Sequence, residues 1–150
     1  MGRFYLYHAG VKMLTEVIIK AIAPIPSTDA NLYSLYLITQ NRHLALPIEI
    51  SANAAKSLML AVQKEQTPRP HVHDTMRRMA AMLNGKIKCA IINFYAEGIF
   101  YSLLRVERNS EVYDLDSKLT DALGVAVRCG APIYIESNIL EEHGIILGDI

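Results

Sequence analysis

Neither sign of charge is in excess in this chain: 15 Lys and Arg balance 15 Asp and Glu over 150 residues. A protein that grips nucleic acid tightly usually carries a basic surplus, because each phosphate contact calls for a cation. Neutrality therefore weighs against tight binding over a whole surface and leaves room only for a local basic patch. Cysteine is scarce. Cys89 and Cys129 show neither CxxC spacing nor the density of a disulfide scaffold, which reads as reduced, buried thiols in a cytoplasmic protein. No apolar run approaches the roughly 20 residues that span a bilayer, so no membrane is expected among the partners. The opening "MGRFYLYHAG" has no sustained apolar core and no small-residue cleavage site, unlike a secretory leader. Residues 1–13 are left as an unassigned extension. Also missing are GxGxxG, P-loop, GxSxG and HExxH motifs, internal repeats and low-complexity segments. Nucleotide-fold and standard hydrolase readings thus lack support.

What is present is an ordinary globular composition, with 51% hydrophobic and 20% charged residues. The length suits one domain with a real core. "LTEVIIKAIAP" reads as a strand stopped by Pro24 and Pro26, and "PSTDAN" as a polar turn. "LYSLYLITQ" is apolar on both alternating faces, which predicts a central strand covered on both sides. "HLALPIEI" follows the turn at Asn41-Arg42 and completes a meander. "NAAKSLMLAVQKE" predicts a helix capped by Ser51 or Asn53. A second helix is expected from about Asp74 to Leu83, with Val72, Met76, Met79 and Leu83 as its apolar stripe and Asn84-Gly85 as its stop. A hairpin comes next, "KIKCAIINFYA" and "IFYSLLRVER" around Glu97-Gly98, then the short strand "EVYDLD". "KLTDALGVAVRCG" gives a third helix, with Leu119, Ala122, Leu123, Ala126 and Val127 on one stripe and Gly130 in the left-handed position. "APIYIE" is a last buried strand, and a short helix is expected in the tail. The fold class is α+β: a single domain with a mainly antiparallel sheet and three main helices.

Two clusters could carry chemistry. In "TPRPHVHDTMRRM" (67–79), His71-x-His73-Asp74 fits a metal site of the kind imidazoles and a carboxylate form. It equally fits metal-free acid–base or phosphate chemistry with Arg69 as a forked phosphate ligand. It also fits a structural role, with Asp74 capping the helix that follows. In "YDLDSKLTDA", Asp114, Asp116 and Asp121 gather at a strand-to-helix junction. They could hold a divalent cation for phosphodiester hydrolysis, or Asp121 could simply complement a helix dipole. Arg77, Arg78, Lys86 and Lys88 fall close together, as a phosphate strip or a solvated face. Cys89 has no obvious base and is not read as a nucleophile.

Taken together, "LPIEI", the helix after it, "TPRPHVHD", the "FYAEGIFYSLLRVE" hairpin and "DSKLTDALGVAVRCGAPIYIE" resemble the bifunctional nuclease domain family, in order and spacing, over roughly residues 14–142. The remaining 143–150 form a tail. The resemblance implies an α+β domain that self-associates and an activity on RNA and DNA. The family's Pro-Arg-Pro-x-x-His-Asp signature falls on Pro68, Arg69, Pro70, His73 and Asp74. Its Asp-x-Arg-Pro-Ser-Asp-Ala signature falls on Asp116, Lys118, Leu119, Thr120, Asp121 and Ala122. The chain departs from the family at Lys118-Leu119, which stand for Arg-Pro, at His71, usually apolar, and at Ala54-Ala55, usually Glu-Ala.

The first expectation is a nuclease in which His73, Asp74, Asp116 and Asp121 are catalytic. Arg69 and Lys118 bind substrate phosphate, and Asp116 and Asp121 hold Mg2+ or Mn2+ if a metal takes part. It is expected as a homo-oligomer, a dimer or higher, with nucleic acid as a partner. The alternative is a non-enzymatic oligomeric regulatory or binding module in which the same polar residues form a structural network.

Overall fold

The computed structural model describes residues 4–7, 12–26 and 31–147. The polar turn expected at 26–31 falls mostly outside them. The chain groups into two compact units, residues 1–55 with 134–150, and residues 56–133.

In the first unit, β2 (Lys12–Pro24), β3 (Leu32–Thr39) and β4 (Leu44–Ser51) pair antiparallel in sequence order, the expected meander. β3 buries Leu35 and Leu37 on one face and Ile38 on the other, as its apolar alternation predicted. The extension contributes a strand, β1 (Phe4–Tyr7), paired antiparallel with β2. The Thr39 hydroxyl donates to Asn41 Oδ1 at 2.6 Å, and Asn41 Oδ1 accepts the His43 N–H, which closes the turn into β4. α4 (Ser137–His143) packs on β2 and β4, and β9 (Ile145–Ile146) adds a short antiparallel partner to β4. The tail is thus tied to the sheet, because extended backbone at an edge strand finds its hydrogen bonds there.

Helix α1 (Ala52–Val62) begins where Ser51 Oγ accepts the Ala54 N–H at 3.2 Å, the N-cap expected of Ser51. Its later turns belong to the second unit. There β5 (Lys86–Ala96), β6 (Ile99–Arg108) and β7 (Glu111–Lys118) form an antiparallel ladder in sequence order. Both connections put two consecutive residues at positive φ, Glu97-Gly98 and Asn109-Ser110. That is the conformation that matches the twist of tight hairpins. α2 (Val72–Met82) and α3 (Leu119–Arg128) pack against each other and on this ladder.

Both helices close with a left-handed residue and a pair of reversed hydrogen bonds. At α2 Asn84 has φ 60°, with Gly85 N–H donating to the Ala80 carbonyl at 2.7 Å. At α3 Gly130 has φ 64°, with Ala131 N–H donating to Ala126 at 2.9 Å. β8 (Ile133–Glu136), buried throughout, lies beside β2. The α+β class stands.

Two expectations for α2 are corrected. Its supposed apolar stripe faces outward: Val72, Met79 and Leu83 are exposed, as is Met82, and His73 is the buried residue of the helix. Period alone does not say which stripe turns inward. Here a polar group with partners waiting on α3 took the inner face. Asp74 is not the cap but the third helical residue. His71 is the N-cap, and its N–H donates to Asp74 Oδ2 at 3.0 Å.

Candidate functional site

His73, in the first turn of α2, points at the middle of α3. Its side chain is 7% exposed, and both ring nitrogens are engaged. Nε2 lies 2.9 Å from Asp121 Oδ1, and Nδ1 lies 3.2 Å from Ser57 Oγ and 3.5 Å from Arg128 Nη1. Arginine can only donate. Nδ1 is therefore on the accepting side, and Nε2 carries the hydrogen given to Asp121. Ser57 Oγ, 3.3 Å from Arg128 Nη2, accepts from the guanidinium and passes its own hydrogen to Nδ1. The donors run in one direction, from Arg128 through Ser57 and His73 to Asp121.

The ring reaches this place because α3 has no side chain there. A Cβ on Gly124 would lie 2.5 Å from His73 Nδ1 and 2.7 Å from Cε1. Asp121, Gly124 and Arg128 are spaced i, i+3, i+7, so one face of α3 presents a carboxylate, a gap and a guanidinium in line. Asp121 lies in the first turn and Arg128 in the last, which suits the helix dipole at both ends.

Arg128 is 7% exposed at its side chain and fully occupied. Nε donates to Asp74 Oδ1 at 3.2 Å, Nη1 to the Gly124 carbonyl at 3.0 Å, and Nη2 to the Ser57 carbonyl at 3.3 Å. Burial works against the charge on Asp74. The His71 amide and the charge and hydrogen bond of Arg128 outweigh it and hold the carboxyl below its ordinary value. Ser57, Gly124 and Arg128 were not singled out in the sequence. The Asp-x-x-Gly-x-x-x-Arg spacing was the available signal.

Of the residues marked in the sequence, the structure thus joins His73 to Asp121 directly, and both to Asp74 through Arg128. Arg69 is exposed on the loop between α1 and α2, where its carbonyl accepts from Thr67 Oγ1 at 2.5 Å. Asp116 is exposed on β7, opposite Leu103. Lys118 is exposed at the N-cap of α3. No hydrogen bond or ion pair links Arg69, Asp116 or Lys118 to the His73 group among the described residues. Asp114 is held by a two-pronged bond from Arg105, at 2.8 and 2.9 Å. His71 is the extended N-cap before α2, and His73 has both ring nitrogens engaged by Ser57 and Asp121, which does not suit a shared ion. Among the described residues no group of three or more His, Cys, Asp or Glu is placed to hold a metal.

The chemical consequence is a division of labour. His73 is sealed in, whereas the Asp121 side chain is 47% exposed. The carboxylate is the end of this chain of donors that meets solvent.

On the other side of Arg128 lies a cleft of about 420 Å³, walled by the ends of α1 and α3, the loop 63–71 and the first turns of α2. Cys129 lines it, and burial pushes this thiol above its ordinary value, as it does Cys89.

A family model described as the bifunctional nuclease domain matches residues 35–147. An uncharacterized protein of Mycobacterium tuberculosis is 34% identical over 115 residues, which cover 77% of this chain and 68% of that one. Bifunctional nuclease 1 of Oryza sativa subsp. japonica is 26% identical over 105 residues, covering 68% of this chain and 32% of the rice protein. Bifunctional nuclease 2 of the same plant is 27% identical over 105 residues, covering 67% and 32%.

Proposed function

We propose, since this chain belongs to the bifunctional nuclease domain family, that it hydrolyses phosphodiester bonds of RNA, DNA or both. One observation carries the reading: a buried histidine grips a half-exposed carboxylate, His73 Nε2 to Asp121 Oδ1 at 2.9 Å. A carboxylate held in one orientation by a fixed donor is suited to take a proton from water beside a phosphate. Water then attacks phosphorus, the P–O ester bond breaks, and the leaving oxygen takes a proton from solvent. In this reading His73 positions Asp121 and does not touch substrate. Lys118, the N-cap three residues before Asp121, would steady phosphate charge in this reading. Arg69 meets the strand from the exposed loop.

Asp116 and Asp121 are the pair this chain would offer to Mg2+ or Mn2+. Two carboxylates are enough for an ion that keeps several of its waters, and such an ion would supply charge neutralisation at the phosphate. The test is cleavage of labelled single-stranded RNA and DNA, with Mg2+, Mn2+ or EDTA. Asp121→Asn is expected to lower the rate at least 100-fold, in line with a general base worth about 10²–10⁴. Equal cleavage by wild type and variant would end the assignment.

A second reading, the non-enzymatic self-associating module, is favoured by the apolar side chains that α2 leaves outside, Met82 being 83% exposed. It expects no cleavage, and a dimer by light scattering that Met82→Glu dissociates. A wild-type monomer would contradict it.

A further inference from the structure

The cleft beside Arg128 has two kinds of wall. Leu60 of α1 and Val127 of α3 supply apolar surface, while Lys64, His71 and Arg77 stand around it with Arg128. Its carboxylates are Glu65 and Asp74, and Asp74 is already neutralised by Arg128 at 3.2 Å. Three cations against two carboxylates leave the cleft net positive. Lys64 and Arg77 are exposed, and neither side chain has a hydrogen-bond or ion-pair partner among the described residues. The charge of Arg77 is felt by both Asp74 and Cys129, so it acts inside the cleft and not only on the outer face of α2. A volume of about 420 Å³ falls within the roughly 300–1,000 Å³ of small-ligand sites.

We propose that this cleft is a nucleotide-binding subsite, in which a base lies along Leu60 and Val127 and its phosphate is held by Lys64 and Arg77. An apolar wall facing free cations matches a ring joined to a phosphate better than it matches bare phosphate, which has no use for the wall. It also matches a nucleoside poorly, since that leaves the cations unanswered. Arg77 supplies the forked donor that a phosphate accepts on two oxygens, and Lys64 a mobile point charge. Asp121 does not line the cleft. The nucleotide bound is a unit of the strand that Asp121 cuts elsewhere along its length, and in that respect only the assignment rests on the nuclease reading.

The experiment is binding in EDTA of a fluorescein-labelled five-nucleotide thymidylate strand to the full chain, as wild type and as Lys64→Gln/Arg77→Gln. Both positions are exposed, so the fold is expected to survive, and circular dichroism checks it. The double variant is expected to bind at least tenfold more weakly. Its plot of log affinity against log salt is expected to be shallower by about 1.4, two phosphate contacts at ~0.7 each for a single strand. In a second measurement thymidine 5′-monophosphate is expected to shift the amide signals of Lys64, Arg77 and Val127. Thymidine or inorganic phosphate alone is expected to shift them less. Equal affinity and equal slope in wild type and variant, shifts confined to other residues, or no binding by wild type would each overturn the assignment. A wild type that binds through Lys64 and Arg77 but cuts no strand would keep the cleft and discard the nuclease reading. A wild type that cuts, and whose double variant binds and cuts equally well, would do the reverse.

Discussion

His73 occupies a space that exists only because residue 124 has no side chain, and this makes Gly124 a sensitive test of the arrangement. Gly124→Ala is expected to destabilise the protein by about 1–3 kcal/mol, the usual cost of forcing a methyl into a filled site, read from urea unfolding. Combined with His73→Ala, the penalty is expected to be much smaller than the sum of the two, because the clash is between those two residues. Additive losses would mean that the ring does not lie on Gly124.

Asp74 gives a test in pH. Its carboxyl lies below its ordinary value of 3.8 in the folded state, so the unfolded chain binds the proton more readily. The stabilisation is therefore present above about pH 4 and is lost as pH falls through the lower folded value. Asp74→Asn is expected to cost about 1.5–3 kcal/mol at pH 7, as hydrogen bonds to a charged group do. The gap between wild type and variant should narrow below pH 4. A gap that stays constant down to pH 2.5 would contradict the Arg128 pairing.

Helices and strands were legible in unequal measure. The β5–β6 hairpin was readable to its ends because Gly98, which accepts positive φ without a steric penalty, sits in the turn between two apolar runs. The stop of α3 was readable from Gly130 for the same steric reason. α2 was misread because Val72, Met79 and Leu83 recur with helical period yet lie outside. A short helix whose buried face is a bonded histidine carries a misleading hydrophobic pattern. Within the site, the signature residues His73 and Asp121 were marked, whereas Ser57 and Arg128 were not. Serine and arginine on helices are usually solvated, and only the fold shows that the Arg128 side chain is enclosed and that Ser57 of α1 meets it. The thiols offer a check on the helices themselves. Burial raises both Cys89 and Cys129, so alkylation at pH 7.5 is expected to be slow in the folded protein and fast in urea. Rapid labelling of Cys129 in the native state would mean that the end of α3 is looser than described.

For the molecule as a whole, neutral net charge and a nuclease activity are compatible if the contacts with nucleic acid are few and local, as a single exposed carboxylate with nearby cations would make them. The chain belongs to the family over residues 35–147, and the site proposed for its chemistry lies within residues 56–133. On the proposed reading the buried network serves to hold Asp121. Single-turnover cleavage of a labelled RNA strand by His73→Gln, Asp121→Asn and the double variant separates positioning from direct action. If His73 works only through Asp121, His73→Gln is expected to lower the rate by about 10-fold or more, Asp121→Asn by at least about 100-fold, and the double variant no further than Asp121→Asn alone, since residues that act as a unit are not additive. A double variant slower than Asp121→Asn by the full His73 factor, or an Asp121→Asn enzyme as fast as wild type, would contradict it.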